Sequence, residues 1–148
     1  MNVDRIQKQL EIDEGVKYVI YIDHLGYPTF GIGHRITRED KEYWEPIGTA
    51  VSEKRVRAAF EKDLCTAIGD CEAIYGERFS SWPRDVHEVL VNMMFNMGRT
   101  RMRKFKKMKA ALIKEDWKQA AKEGRDSRWH KQVPNRAERL MTKLENVT

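Results

Sequence analysis

The sequence predicts an α+β chain, mainly α, in which a small antiparallel β-hairpin lobe is joined by a long helix to a helical lobe. Two observations carry this expectation. Val19-Ile20-Tyr21-Ile22 and Thr29-Phe30-Gly31-Ile32 are β-rich runs separated by Asp23-His24-Leu25-Gly26-Tyr27, in which Gly26 can supply a positive φ. From Val56 to Tyr75, and again between Trp82 and Leu144, apolar residues recur at helical spacing. At 148 residues the chain is one domain. Within it we expect a β lobe over about residues 15–51, a linking helix over about 53–75, and a helical lobe over about 76–148 that also takes in a helix at 3–13.

Val3, Ile6 and Leu10 mark the first helix, with Asn2 as its cap and Gly15 as its stop. Glu14 therefore sits at a helix end facing the hairpin. A carboxyl held there is partly desolvated and suited to donate a proton near neutral pH. Asp23, at a polar turn edge, stays ionised. Two carboxyls whose proton affinities are pushed apart are what glycosidic cleavage requires. Arg35 to Val51 is polar and reads as a third short strand followed by loop.

Ser52 is positioned to cap the long helix, which Gly76 closes. Pro83 suits the first turn of the next helix, whose Val86, Val89, Leu90, Met93, Met94 and Met97 are apolar on more than one side, as in a buried central helix ended by Gly98. Arg99, Arg101, Arg103, Lys104, Lys106, Lys107 and Lys109 surround Met102, Phe105 and Met108, which are three apart and expected to face inward. Trp117, Ala120 and Ala121 lie on the buried side of a helix around 115–123, with Gly124 as its stop. Pro134 or Asn135 starts the last helix, packed by Leu140 and Leu144.

A net charge of +5 and a pI near 9.2 favour an anionic partner, either a nucleic acid or a bacterial wall. Cys65 and Cys71, six residues apart in a helical pattern, read as reduced thiols. No Cys/His pattern supports a metal, and Gly31 and Gly33 lack the third glycine of a dinucleotide loop, so no cofactor is implied. No apolar run approaches a bilayer span, and the charged N-terminus does not read as a signal or membrane anchor.

Asp13-Glu14-Gly15, the run Tyr21-x-Asp23-x-x-Gly26-x-x-Thr29-x-Gly31-x-Gly33-His34, and Ser127-Arg128-Trp129 with Gln132-x-Pro134-Asn135-Arg136-Ala137 closely resemble the T4-type phage lysozymes. The likeness covers most of the chain and is poor over 36–51, a region about ten residues shorter than in that family. It implies a lysozyme-like two-lobed fold and a monomeric muramidase, a glycoside hydrolase of inverting course. The substrate implied is the β-1,4 bond between N-acetylmuramic acid and N-acetylglucosamine of bacterial peptidoglycan, with no nucleic acid expected. It also implies an endolysin that accumulates in the host cytoplasm and acts on the wall after release through a holin.

By the same resemblance Glu14, Asp23 and Thr29 are catalytic, Arg136 orients Glu14, His34 pairs with Asp63, and Phe95 lines the substrate cleft. Arg35, also assigned to substrate, stands where an apolar residue is usual. Met108 and Glu123 likewise replace polar cleft residues, and Pro28 directly precedes Thr29. Three rivals are a lytic transglycosylase, a non-enzymatic basic binding module, and a lysozyme fold that has lost activity. The first needs a lone acid and leaves an anhydro sugar. The second rests on the pI and the Arg99 to Lys109 cluster.

Overall fold

The computed structural model describes all 148 residues. Eight α-helices and one three-stranded antiparallel sheet divide between two compact units, Gln7–Cys65 and Met1–Ile6 with Thr66–Thr148. Helices α1 (Val3–Glu14) and α2 (Glu53–Tyr75) each contribute residues to both. Local chemistry sets their ends. The Asn2 side chain accepts from the Arg5 N–H at 3.1 Å, and the Ser52 hydroxyl oxygen from Arg55 at 3.1 Å.

In the Gln7–Cys65 unit the strands β1 (Lys17–Ile22), β2 (Pro28–Gly31) and β3 (His34–Arg35) lie in that order. The β1–β2 turn closes through Gly26, at φ +90°, whose N–H donates to the Asp23 carbonyl at 3.0 Å. Pro28 occupies the first position of β2, where a missing N–H is tolerated. Tyr21, Thr29 and Arg35 pair across the three strands and so share one face of the sheet. Phe30 and His34 pair on the other. Gly31 is closely covered by Val56 of α2, whose Cγ1 would lie 3.0 Å from any Cβ placed there.

The third short strand expected is present, and the loop expected after it is partly ordered as a turn. The third strand begins at His34 and is two residues long, and a 3-10 turn forms at Lys41–Trp44. The turn is drawn in by charge. Glu42, only 6% exposed, accepts two hydrogen bonds from the Arg55 guanidinium, at 2.8 and 2.9 Å. The chain then returns beside β1, with Gly48 and Val51 N–H groups donating to the Ile20 and Tyr18 carbonyls.

The second unit is built on α3 (Arg84–Met97), in which every residue from Val86 to Met94 is buried. Pro83 lies one position before the helix proper, and Gly98, at φ +80°, ends it. Glu88 of α3 holds two other segments of this unit. Its buried carboxylate takes Arg5 Nε at 2.6 Å and Lys143 Nζ at 3.0 Å. Desolvation opposes its charge, but the two cations win and keep its pKa low.

One expectation is met in part here and another fails, both for tertiary reasons. The basic stretch forms two helices, α4 (Arg99–Met102) and α5 (Lys106–Ile113), broken at 103–105. Residues three apart on a helix drift by about 60° per step. A continuous helix would carry Met102 and Met108 to different sides; the break lets both reach 1% exposure, while Phe105 stays half-buried. Gly124 does not stop its helix. It lies inside α6 (Trp117–Arg125), where a Cβ would fall 2.3 Å from Met141 Sδ of α8 (Pro134–Glu145). Glycine is there for close packing. Asp116 caps α6 by accepting from the Gln119 N–H at 3.1 Å.

Between α6 and α8 a short helix, α7 (Arg128–Gln132), is capped by Ser127, and Pro134 is the first residue of α8. Cys65 and Cys71 are free thiols, and burial pushes the Cys71 thiol pKa up. No helix is long and apolar enough to cross a membrane.

Candidate active site

Six of the eight residues singled out in the sequence belong to the Gln7–Cys65 unit: Glu14, Asp23, Thr29, His34, Arg35 and Asp63. Glu14 is the last residue of α1, which Gly15 terminates at φ +74° with its N–H on the Glu11 carbonyl. The half-buried Glu14 side chain lies over the bare Cα of Gly33. A Cβ at Gly33 would stand 2.7 Å from Glu14 Oε2, and Gly33 is also at φ +63°. Two separate constraints thus require glycine beside this carboxylate.

Asp23 starts the hairpin turn and is bound by it. Its Oδ1 accepts from the Leu25 and Tyr27 N–H groups, both at 2.9 Å, and its Oδ2 lies 3.5 Å from Arg35 Nε. Desolvation raises its pKa, but the Tyr27 and Leu25 N–H groups and Arg35 more than offset it, so the net direction is down. The Arg35 guanidinium also rests on the Tyr27 ring, 4.2 Å from its centroid, and the side chain stays half exposed. Thr29 is 2% exposed, and its hydroxyl donates to the Tyr27 carbonyl at 2.8 Å.

His34 bonds Asp63 of α2 through Nδ1 at 2.7 Å and Asp40 through Nε2 at 2.9 Å. A carboxylate on each ring nitrogen makes both nitrogens donors, which only the imidazolium can be. Burial alone would lower the His34 pKa, but the two carboxylates raise it above 6.5. Asp40 in turn takes Arg55 at 3.1 Å and the Thr37 N–H at 2.8 Å.

Arg136 and Phe95 belong to the helical unit. Arg136 Nε donates at 2.8 Å to Asn92 Oδ1, on a side chain only 2% exposed. Phe95 is half-buried on α3, beside Asn96, whose Oδ1 accepts from Trp129 Nε1 at 2.8 Å.

Residues 11–146 match the model of the phage lysozyme family. The chain belongs to that family. It is 32% identical to the probable T4-type lysozyme 1 of Dictyostelium discoideum, over 99% of this chain and 96% of that one, and 30% identical to the probable T4-type lysozyme 2 over the same shares. It is also 32% identical to the pre-baseplate central spike protein of Enterobacteria phage T4, covering 90% of this chain but only 26% of the spike. The resemblance read from the motifs at residues 13–34 and 127–137 is therefore a family relationship.

Three polar residues were given no role in the sequence reading, Tyr21 and Asp40 in the Gln7–Cys65 unit and Asn92 in the helical unit. Tyr21 pairs with Thr29 across the sheet. Its phenol pKa is raised by burial first and then by the negative charges of Glu14 and Asp23, so it senses both carboxylates. Alternation along β1 puts Tyr21 on the Thr29 face and could have signalled it. Asp40 lies six residues from His34 in a polar run without periodicity, and Asn92 acts through a contact distant in sequence, so no local pattern announces either. No group of three or more His, Cys, Asp and Glu side chains is placed to hold a metal ion.

Proposed function

We propose that this phage lysozyme is an endolysin that hydrolyses the β-1,4 bond between N-acetylmuramic acid and N-acetylglucosamine of bacterial peptidoglycan, lysing the host cell. The observation that carries the reading is the Glu14 carboxylate seated on Gly33, in the same electrostatic neighbourhood as Asp23, both of them felt by Tyr21. Glu14 is the general acid that protonates the leaving oxygen. Asp23, tied to two N–H groups and kept at low pKa, is a poor proton acceptor but a permanent negative charge. It opposes the positive charge that develops on the sugar as the bond breaks.

Thr29 positions the attacking water. Because its hydroxyl hydrogen is engaged by the Tyr27 carbonyl, its oxygen presents lone pairs and receives a hydrogen from the water. The water oxygen attacks the anomeric carbon from the face opposite the leaving group and sheds its proton to solvent as Glu14 delivers its own to the leaving oxygen, so the course is inverting. Arg35 holds Asp23, and its exposed half is available to the substrate. Arg136 is the guanidinium that orients Glu14, and Phe95 is an aromatic contact for sugar. The protein works as a monomer with no cofactor. It accumulates in the host cytoplasm and reaches the wall through a holin pore.

The reaction course is tested by NMR of the first-formed product from purified wall. An inverted anomeric centre is expected, and retention would contradict the role given to Thr29. Mass spectrometry of the same digest should find reducing ends; anhydro-sugar ends would identify a transglycosylase instead.

A further inference from the structure

Arg35 ends the short strand β3 and pairs with Thr29, on the sheet face that also carries Tyr21. Its charged partner is Asp23, whose Oδ2 stands 3.5 Å from Arg35 Nε, beyond the length of a good hydrogen bond. Asp23 is already held by the Leu25 and Tyr27 N–H groups, both at 2.9 Å, and these do more than Arg35 to lower its pKa. Keeping Asp23 in place therefore does not use up the guanidinium. Its planar tip bears five N–H donors, and the side chain is half exposed.

The tip is nevertheless seated. The guanidinium carbon lies over the Tyr27 ring, 4.2 Å from its centroid. A long side chain loose in solvent gives up rotamer freedom when it takes a ligand; one already resting on a ring gives up less. A planar fork of N–H donors matches a planar anion with two oxygens, which is a carboxylate. The apolar residue usual at this position suits the face of a neutral sugar, and a seated cation does not.

We propose that Arg35 is a specificity-determining residue that binds a carboxylate carried by the wall glycan beside the scissile bond. The inference rests on the hydrolase reading for the identity of that glycan. On N-acetylmuramic acid the carboxylate is that of the lactyl group or, where the lactyl carboxyl bears a peptide, one belonging to the peptide. Recognition of either would make the enzyme favour acid forms of the wall over amidated ones.

The test measures equilibrium binding of short glycan chains to the full protein carrying Glu14→Gln, so that binding is read apart from hydrolysis. Two ligand pairs are compared, each an acid form and its amide. In one the lactyl carboxyl is free, and in the other it bears a peptide whose own carboxylate is free. The acid form should bind about fivefold more tightly in at least one pair, the upper range for an ion pair at a half-exposed site, and the pair that shows the preference identifies the source of the carboxylate.

Adding Arg35→Leu should bring that preference below about twofold by weakening the acid form alone. Arg35→Lys keeps the charge without the flat fork and should retain only part of the preference. Lys54→Leu removes an exposed charge elsewhere in the same unit and should leave the preference intact. If Arg35 served only to hold Asp23, Arg35→Leu would not change the ratio of acid to amide binding, and that result would overturn the inference. So would equal binding of acid and amide in both pairs, or an equal loss in Lys54→Leu. Failure of the wild type to cleave wall would count against the hydrolase reading instead, and the binding ratios would still decide the role of Arg35.

Discussion

Two glycines, one in each unit, show how differently the two regions of this molecule are constrained. Gly33 lies beneath a carboxylate: its missing Cβ leaves room for Glu14 Oε2. Gly124 lies beneath a thioether: its missing Cβ leaves room for Met141 Sδ. The first space serves a charged group that is still half open to solvent. The second is filled by a fully buried, flexible apolar chain. The same division runs through both units. The Gln7–Cys65 unit fixes its polar residues through His34, Asp40, Asp63, Arg55 and Glu42, whereas the helical unit fills the space around α3 with methionine, tryptophan and leucine. Protonation should therefore govern the first region, and volume the second.

The largest effect is expected at Gly33. Alanine there meets Glu14 Oε2 at 2.7 Å in a left-handed backbone, so the carboxyl proposed as the general acid has to move. A displacement of about 1 Å in a catalytic group can cost about a hundredfold in rate, and the backbone strain adds about 1 to 2 kcal/mol of destabilisation. Wall-clearing rates and thermal melting of Gly33→Ala would show both losses, with activity falling much further than stability.

His34→Gln comes next. It removes two charge-assisted hydrogen bonds and should cost about 2 kcal/mol near pH 6. The cost should depend on pH. Because the folded-state pKa of His34 is raised, its stabilisation is fully present below 6.5 and is lost as pH climbs through the raised value. Asp40, whose pKa is lowered, contributes above about its ordinary value of 3.8 and loses that contribution as pH falls through the depressed one. Denaturant titrations should therefore find the wild type's advantage over His34→Gln greatest between about pH 4 and 6.5, shrinking on both sides. A cost that is flat with pH would break the contrast between the two regions.

Gly124→Ala should give the smallest change, about 1 kcal/mol of destabilisation, independent of pH. Overpacking against Met141 costs about 1 to 3 kcal/mol, which the better helix propensity of alanine and the pliancy of methionine partly offset. The melting temperature should drop by a few degrees while wall clearing is kept; lost clearing at unchanged stability would contradict the packing role.

The same contrast explains what could be read before the structure. Helix ends at Asn2, Gly15, Ser52 and Gly76, and the hairpin through Gly26, depend on neighbours within a few residues, and all are where the local patterns put them. Glu14, Asp23, Thr29 and His34 stood out because turn glycines at fixed offsets surround them. The break at 103–105, the interior place of Gly124 and the 3-10 turn over Glu42 were not legible. Each is decided by a partner far along the chain: the burial of two methionines, the bulk of Met141, and the guanidinium of Arg55. The second carboxylate on His34 is only six residues away, but it stands in a polar run with no periodicity to single it out.

The central claim is that Glu14 donates the proton that breaks the glycosidic bond, and the most direct measurement is wall clearing by Glu14→Gln beside the wild type. Glutamine keeps the shape and removes the acid. Melting should be little changed, and clearing of purified peptidoglycan should fall at least about a hundredfold, the lower range of what a general acid contributes. A folded Glu14→Gln variant that clears wall at the wild-type rate would contradict the account.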